Sequence, residues 1–393
     1  MVIDVGAVQE ALREEGLDGW LLYDFHGSNP IARTVAGLDG GGGLTTRRWY
    51  YLIPAAGAPQ ALVHRIEPNV LDHLPGDRRA YAGREQLEAG LAAMVHGHAR
   101  LAMEYSPGGA IPYVSRVDAG TVDAVRRLGA AVVSSGDLVQ RFEAVWDEPA
   151  TATHRAASAA LYRIKDRAFA LIAERMETRS PVSEFEVQQA MCAWFDEEGL
   201  ISDSPPVVAA QENSGNPHYL PSAGDSRAIS RDEVVLLDLW GKQDAAGAVF
   251  ADITWVGYTG SPVPERYASV FGVARDARDA AVALVSDAAA DGRELRGWEV
   301  DRAARSVIEG AGFGDQFVHR TGHSLGEAVH GNGVHMDDYE THDDRRLLPG
   351  TGFTIEPGIY FDQFGVRTEI NMHVGPRAAE VTGPLQEELV TLC

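Results

Sequence analysis

Two stretches of this chain alternate apolar and polar positions with period two, and both carry carboxylates on one face. In Thr351–Val374, Phe353 and Ile355 alternate with Thr354 and Glu356, and Pro357-Gly358 then bends the chain. A second run follows, with Val366, Thr368, Ile370, Met372 and Val374 on one face and Arg367, Glu369, Asn371 and His373 on the other. The pattern predicts a hairpin bent at Pro357-Gly358, with one glutamate in each half-buried strand. Val234–Val256 predicts a second hairpin, with Val235, Leu237 and Leu239 on one face and Asp238 on the other. A turn centred near Ala245 would set Asp238 directly opposite Asp252, and two bare carboxylates there would repel. A buried carboxylate is costly unless paired, protonated or bound to a metal, so the glutamates of the first hairpin ask for a cation.

The rest of the chain supplies the setting. Up to about residue 150 the pattern alternates strand and helix. Val8–Glu15 reads as a helix closed by Gly16, and Gly19–Tyr23, Trp49–Pro54, Gln60–His64, Ala99–Met103 and Ala130–Val133 read as strands. The glycine run Gly40–Gly43 is followed by no Gly-Lys-Ser/Thr and reads as a loop rather than a phosphate cradle. Pro149 and the Ala/Thr-rich residues after it suggest a boundary between domains spanning 1–150 and 151–393. Helical patterns follow at Ala152–Glu177, at a segment opened by Ser183 with Glu186 as a capping box and closed by Gly199, at Pro264–Ala290 and at Trp298–Gly310. The order helix pair, hairpin, helix pair, hairpin implies two related halves around a common site, and the expected class is α+β.

Composition narrows the partners. The formal net charge of −23 over 393 residues argues against nucleic acid and anionic membranes. Cys192 and Cys393, the two cysteines, can form neither a disulfide framework nor a thiolate zinc site. The acidic N-terminus lacks an apolar core of signal-peptide length, and no run approaches membrane-spanning length, so a cytoplasmic location is expected.

His323 lies in HRTGHSLGEAVH, bracketed by His319 and His330, with Gly322 and Gly326 allowing close backbone approach. Together Asp238, Asp252, His323, Glu356 and Glu369 offer four oxygen-type ligands and one nitrogen. Such a set suits a pair of manganese, cobalt or zinc ions rather than a thiolate-bound metal.

The blocks LLDLWG…FADITW, HRTGHSLG…VH, FTIEPGIY and GVRTEI resemble, in the correct order, the signature of the pita-bread metallopeptidases, which include prolidase, aminopeptidase P, methionine aminopeptidase and creatinase. The N-terminal part resembles the creatinase/prolidase N-terminal domain, which disfavours methionine aminopeptidase. Retention of all five ligand positions disfavours metal-free creatinase. The 13 residues between Asp238 and Asp252 exceed the usual spacing, and the excess falls at a hairpin tip, where insertion is tolerated.

The resemblance implies an α/β N-terminal domain and a pita-bread catalytic domain. It also implies two divalent ions, manganese foremost, and hydrolysis of Xaa-Pro bonds by an activated water. Asp238 would hold one ion, Asp252 and Glu369 would bridge both, and His323 and Glu356 would complete the other, with Glu356 also shuttling a proton. His218 and His330 match histidines that contact substrate and steady the tetrahedral intermediate. His319 would wall the proline pocket and Arg367 would orient a neighbour. The substrates implied are small peptides with proline second, dipeptides first, as in prolidase. The alternatives are aminopeptidase P action on longer peptides and, more distantly, a non-catalytic peptide-binding relative. A homodimer is implied, with Trp49, Tyr50 and Tyr51 offered as an aromatic interface patch. Arg47 and Arg48, on the glycine-rich loop, could reach a neighbouring subunit's site to bind the dipeptide carboxylate, whereas Arg320 should point away from His323. The segment HGNGVHMDDYETHDDRR, rich in His and Asp, has no job assigned by the resemblance.

Overall fold

The strands expected between residues 19 and 133 assemble into one sheet in a computed structural model, which describes residues 3–38 and 45–392. The described residues divide into two units, Met1–Phe142 and Glu143–Cys393. The glycine run 40–43 and Cys393 lie outside the described residues. In the first unit the strands are β1 (Gly19–Asp24), β2 (Trp49–Pro54), β3 (Gln60–His64), β4 (Asp77–Tyr81), β5 (Arg100–Met103) and β6 (Ala131–Ser134). Their spatial order is β4-β3-β2-β1-β5-β6, with helices α1 (Val5–Glu14), α2 (Pro30–Val35), α3 (Arg84–Val95), α4 (Ala119–Arg127) and α5 (Gly136–Glu143) between them. Both faces are covered. Trp49 and Tyr51 enter one core with Trp20 and Leu22, while Tyr50 and Leu52 enter the other with Leu21 and Leu91.

That two-sided burial overturns the aromatic patch. Trp49, Tyr50 and Tyr51 are at most 2 % exposed, interior positions of a central strand rather than loop residues available to a partner. β4 escaped the sequence reading because DRRAY is charged and largely exposed, as suits an edge strand.

The second unit follows the expected order. α6 (Glu148–Glu177) and α7 (Glu184–Glu197) come first, followed by β7 (Leu200–Ile201) and β8 (Val207–Ala210). Next is the hairpin β9 (Val234–Gln243) with β10 (Ala251–Tyr258), then α8 (Glu265–Asp291) and α9 (Gly297–Gly310). The chain ends with β11 (Ser324–Leu325), β12 (Gly352–Ile355), β13 (Gly358–Phe361), β14 (Phe364–Arg367), β15 (Ile370–Val374), β16 (Ala379–Val381) and β17 (Val390–Thr391). α6 begins earlier than the periodicity suggested. Asp147 caps it by accepting from Ala150 N at 2.8 Å, and Pro149 sits in its first turn, where no N–H is needed. The capping box of α7 forms, with Ser183 Oγ accepting from Glu186 N at 3.2 Å and Glu186 accepting from Ser183 N at 2.8 Å. Among the described residues no helix is long and apolar enough to cross a membrane.

Two hairpin details differ from expectation. In β9/β10, Asp252 lies opposite Trp240 and Asp238 opposite Thr254. The aspartates are therefore diagonal neighbours on one face, because the β9/β10 ladder ends with Gly241 opposite Ala251, while Lys242 and Gln243 pair with β7 instead. In the C-terminal hairpin, Pro357-Gly358 is not the turn. β12 pairs with β15 (Gly352 opposite His373) and β13 pairs with β14 (Gly358 opposite Arg367) in one continuous register, so the chain reverses at Asp362-Gln363. Pro357, which has no N–H to donate, interrupts the ladder halfway, and at that interruption Glu356 stands opposite Glu369.

Candidate metal centre

The interrupted ladder frees backbone groups at the two glutamates to bind other strands. Glu369 N donates to Thr254 O on β10 at 3.1 Å, and Glu356 N donates to Thr321 O at 2.7 Å, two residues before His323. One break in one hairpin thus brings together three segments: β10 with Asp252, the His323 segment, and the glutamate pair. Gly322 is required at this junction, since a Cβ there would lie 1.9 Å from Thr354 O.

The side chains converge accordingly. Asp252, His323 and Glu369 are buried, and each offers a ligand atom within 4.8 Å of the others. His323 Nε2 lies 3.5 Å from Asp252 Oδ2 and 3.6 Å from Glu356 Oε1. His323 Nδ1 faces the Ser324 carbonyl at 3.3 Å and must donate there, which leaves the Nε2 lone pair aimed at two carboxylates. Asp238 stands slightly apart, its Oδ2 held by Arg367 Nη2 at 2.5 Å. Arg367 also donates from Nε to Thr254 Oγ1 at 2.9 Å and from Nη1 to Tyr360 Oη at 3.0 Å. It is therefore committed to the site's own architecture.

Electrostatics make this arrangement costly without a cation. Burial pushes the Asp252 carboxyl well above its ordinary range, and Glu369, Asp238 and Glu356 push it further. Glu369 is raised well above normal for the same reasons, burial first. Burial raises Asp238 against the opposing charge of Arg367, and raises Glu356 to about 7 against Arg367 and Arg320. Asp252 Oδ1 is buried and meets no hydrogen-bond partner among the described residues. An orphaned carboxylate oxygen, an imidazole lone pair facing that same carboxylate and one other, and a hard-oxygen donor set are what one or two divalent ions would satisfy.

Around this cluster stand hydroxyls that the sequence reading missed. Thr254 Oγ1 donates to Glu369 Oε2 at 2.7 Å. Thr354 Oγ1 accepts from His323 N at 2.9 Å and lies 3.3 Å from Glu356 Oε1. Thr254 lies two residues from Asp252 and Thr354 two residues from Glu356, so the period-two pattern held the signal.

The remaining candidates spread outward. His319 Nδ1 donates to Arg320 O at 2.7 Å, so Nε2 accepts from the Tyr360 hydroxyl at 2.8 Å. Burial, with Arg367 nearby, keeps His319 neutral, its pKa down to about 3. The His330 ring packs edge-on against His323, centroids 4.4 Å apart, with one side exposed. His218 is exposed in the loop after β8, where its N–H closes a turn on Asn216 Oδ1 at 3.0 Å. Arg320 N donates to Glu340 Oε1 at 3.2 Å; its charge helps lower the pKa of His323, after burial and His330, and that of His330, after burial. Arg47 and Arg48 belong to the first unit. Arg47 Nη1 donates to Thr46 Oγ1 at 3.0 Å, and the Arg48 guanidinium lies 5.9 Å from the Phe25 ring centroid.

The Xaa-Pro dipeptidase of Lactobacillus delbrueckii subsp. lactis is 34 % identical over 193 residues, 49 % of this chain and 46 % of that protein. The match thus spans about half the length of that relative. Among solved structures, dipeptidase PepE from Mycobacterium ulcerans superposes with a TM-score of 0.69 at 23 % identity, over 99 % of this chain and 96 % of that one. The prolidase of Thermococcus sibiricus gives 0.61 at 22 % identity, over 98 % of each chain. These likenesses show the two-domain pita-bread fold, α+β, with a creatinase-like α/β N-terminal domain. The model of metallopeptidase family M24 matches residues 152–376, more than half of the sequence, and the chain belongs to that family.

Proposed function

We propose that this chain hydrolyses the Xaa-Pro bond of dipeptides with two divalent ions, manganese foremost, held by Asp238, Asp252, His323, Glu356 and Glu369. The observation that carries this reading is the buried donor cluster around Asp252, with its unpartnered Oδ1. The names of the Lactobacillus dipeptidase and the Thermococcus prolidase support the substrate class.

When bound, a divalent pair lowers the pKa of water towards neutrality and polarises a carbonyl oxygen. An Xaa-Pro bond is a tertiary amide without N–H, so the protein must act through the carbonyl and the ring. Glu356, beside the ligand His323, takes up the proton lost in the attack and returns it to the proline nitrogen. His330 and His218 donate to the oxygen that gains negative charge. His319, kept neutral by burial and the nearby Arg367 and held in orientation by the Tyr360 hydroxyl and the Arg320 carbonyl, offers a flat uncharged wall to the proline ring. Arg367 anchors Asp238 through its guanidinium.

The substrate's free carboxylate separates a dipeptidase from an aminopeptidase P, and Arg47 and Arg48 of a neighbouring subunit are the proposed partners for it. A charge-assisted bond of this kind corresponds to roughly 10–100-fold in kcat/KM. Xaa-Pro is therefore expected to be cleaved at least about tenfold better than Xaa-Pro-Xaa, and Arg47→Ala or Arg48→Ala should erase the difference. Equal cleavage of the tripeptide would make the activity that of an aminopeptidase P. A preference that survives both substitutions would clear these arginines of the role. Absence of hydrolysis together with absence of bound metal would leave a peptide-binding relative.

The proposal includes a cytoplasmic location and a homodimer, the latter resting on the family likeness alone now that Trp49–Tyr51 are interior. Light scattering at micromolar concentration is expected to give twice the chain mass, and a monomer mass would refute it.

A further inference from the structure

The His- and Asp-rich segment after His330 has the geometry of a brace for the ligand His323. One edge of the His323 segment is covered by β12: Thr354 N donates to His323 O at 2.9 Å, and Ser324 lies opposite Phe353. Among the described residues the other edge has no full strand. It meets residues 335 and 336 instead. Met336 N donates to Gly322 O at 2.9 Å, Thr321 N donates to Met336 O at 3.0 Å, and the Ser324 N–H donates to His335 Nδ1 at 3.1 Å. An imidazole nitrogen thus takes the place of a strand carbonyl at the residue immediately after the ligand.

The backbone that carries this imidazole is itself held. His335 is fully buried, and its backbone N–H donates to Asp343 Oδ2 at 2.8 Å. Asp343, also fully buried, is gripped by Arg345 through Nε at 2.9 Å and Nη2 at 2.6 Å, and Arg345 Nη1 ties back to Asn332 O at 2.8 Å. The first turn of α9 completes the brace: Trp298 N donates to Asp343 O at 3.0 Å and Gly297 N to Arg345 O at 3.2 Å. Gly297 has to be glycine, since a Cβ there would lie 2.0 Å from His335 O.

We propose that His335 is a positioning residue for the metal centre, its Nδ1 holding the Ser324 amide so that the His323 imidazole keeps its aim at Asp252 and Glu356. This rests on the metal reading above. The role depends on an acceptor at the δ position of a neutral ring, which asparagine can supply through Oδ1, whereas glutamine places its oxygen one bond further out and leucine has none.

The test uses His335→Asn, His335→Gln and His335→Leu in the full chain, with two readouts. Calorimetric titration of the metal-free protein with Mn²⁺ should show the asparagine variant within about threefold of the parent, and the glutamine and leucine variants weaker by ~10–100-fold, the range for losing a group that orients a ligand. Hydrogen exchange of the metal-free protein should show the Ser324 amide protected in the parent and the asparagine variant and exposed in the other two. If the leucine variant does not fold, the asparagine–glutamine pair decides. Glutamine binding as well as asparagine, or leucine matching the parent in both readouts, would overturn the proposal. A parent protein that binds no Mn²⁺ would sink the metal reading, while the exchange readout would still decide whether His335 holds Ser324.

Discussion

Asp252→Ala or Glu369→Ala is expected to abolish turnover and lower bound metal below two ions per chain. Both carboxylates sit at the centre of the cluster, 5 % and 2 % exposed, and each offers a ligand atom to the same point as His323. A metal contributes several kcal/mol to the transition state of hydrolysis, so its loss corresponds to on the order of 10³-fold or more in kcat/KM. The same geometry predicts the sign of a second measurement. In the metal-free protein, Asp252 Oδ1 is a buried oxygen without a partner, beside Glu369, Asp238 and Glu356. Asp252→Asn keeps the shape and removes one of these mutually repelling charges. The metal-free variant should therefore melt higher than the metal-free parent, by roughly 2–4 °C for each kcal/mol relieved. In excess Mn²⁺ the order should reverse, because the parent gains binding energy that the variant lacks. Two ions and full turnover in either alanine variant would refute the assignment. A metal-free Asp252→Asn that melts lower than the parent would mean that the carboxylate is a structural group rather than a ligand in waiting.

His330→Ala and His218→Ala are expected to leave metal content nearly unchanged while cutting kcat by ~10²–10³-fold, the effect of losing one preorganised donor to a developing oxyanion. His330 is the more demanding test, because its ring packs against the ligand His323 at 4.4 Å. Its contact there is edge-on and one side is exposed, so removing it takes away a neighbour rather than a ligand. His218 is exposed, and its backbone turn on Asn216 does not depend on the imidazole. Metal analysis beside steady-state kinetics separates the roles. If either variant loses its metal along with its rate, that histidine is holding the centre and not the substrate.

Much of this architecture was legible along the chain because its signals are local. The Ser183–Glu186 box marks the start of α7, and Gly199, at φ 67°, marks the end of that element. Period-two alternation placed Asp238 and Asp252 on one face of a hairpin and Glu356 and Glu369 on paired strands. The five candidate donors could be singled out because carboxylates inside alternating strands are costly in any fold, and because His323 stands in a glycine-punctuated stretch bracketed by His319 and His330.

What the sequence could not decide depends on partners far away in the chain. Alternation reports which face a residue occupies but is blind to a register shift of two. Only the packed sheet sets Asp238 opposite Thr254 rather than Asp252. Pro357 reads as a turn residue, yet the tertiary structure uses its missing N–H to open a ladder, so that the amides of Glu356 and Glu369 can join Thr321 and Thr254. Trp49–Tyr51 could equally have been a surface patch, until cores on both faces of the sheet buried them. Residues 330–346 read only as rich in His and Asp. Within them His335, Asp343 and Arg345 are buried because they satisfy one another and the backbone around His323, and charged groups can be buried only when tertiary contacts supply the partners.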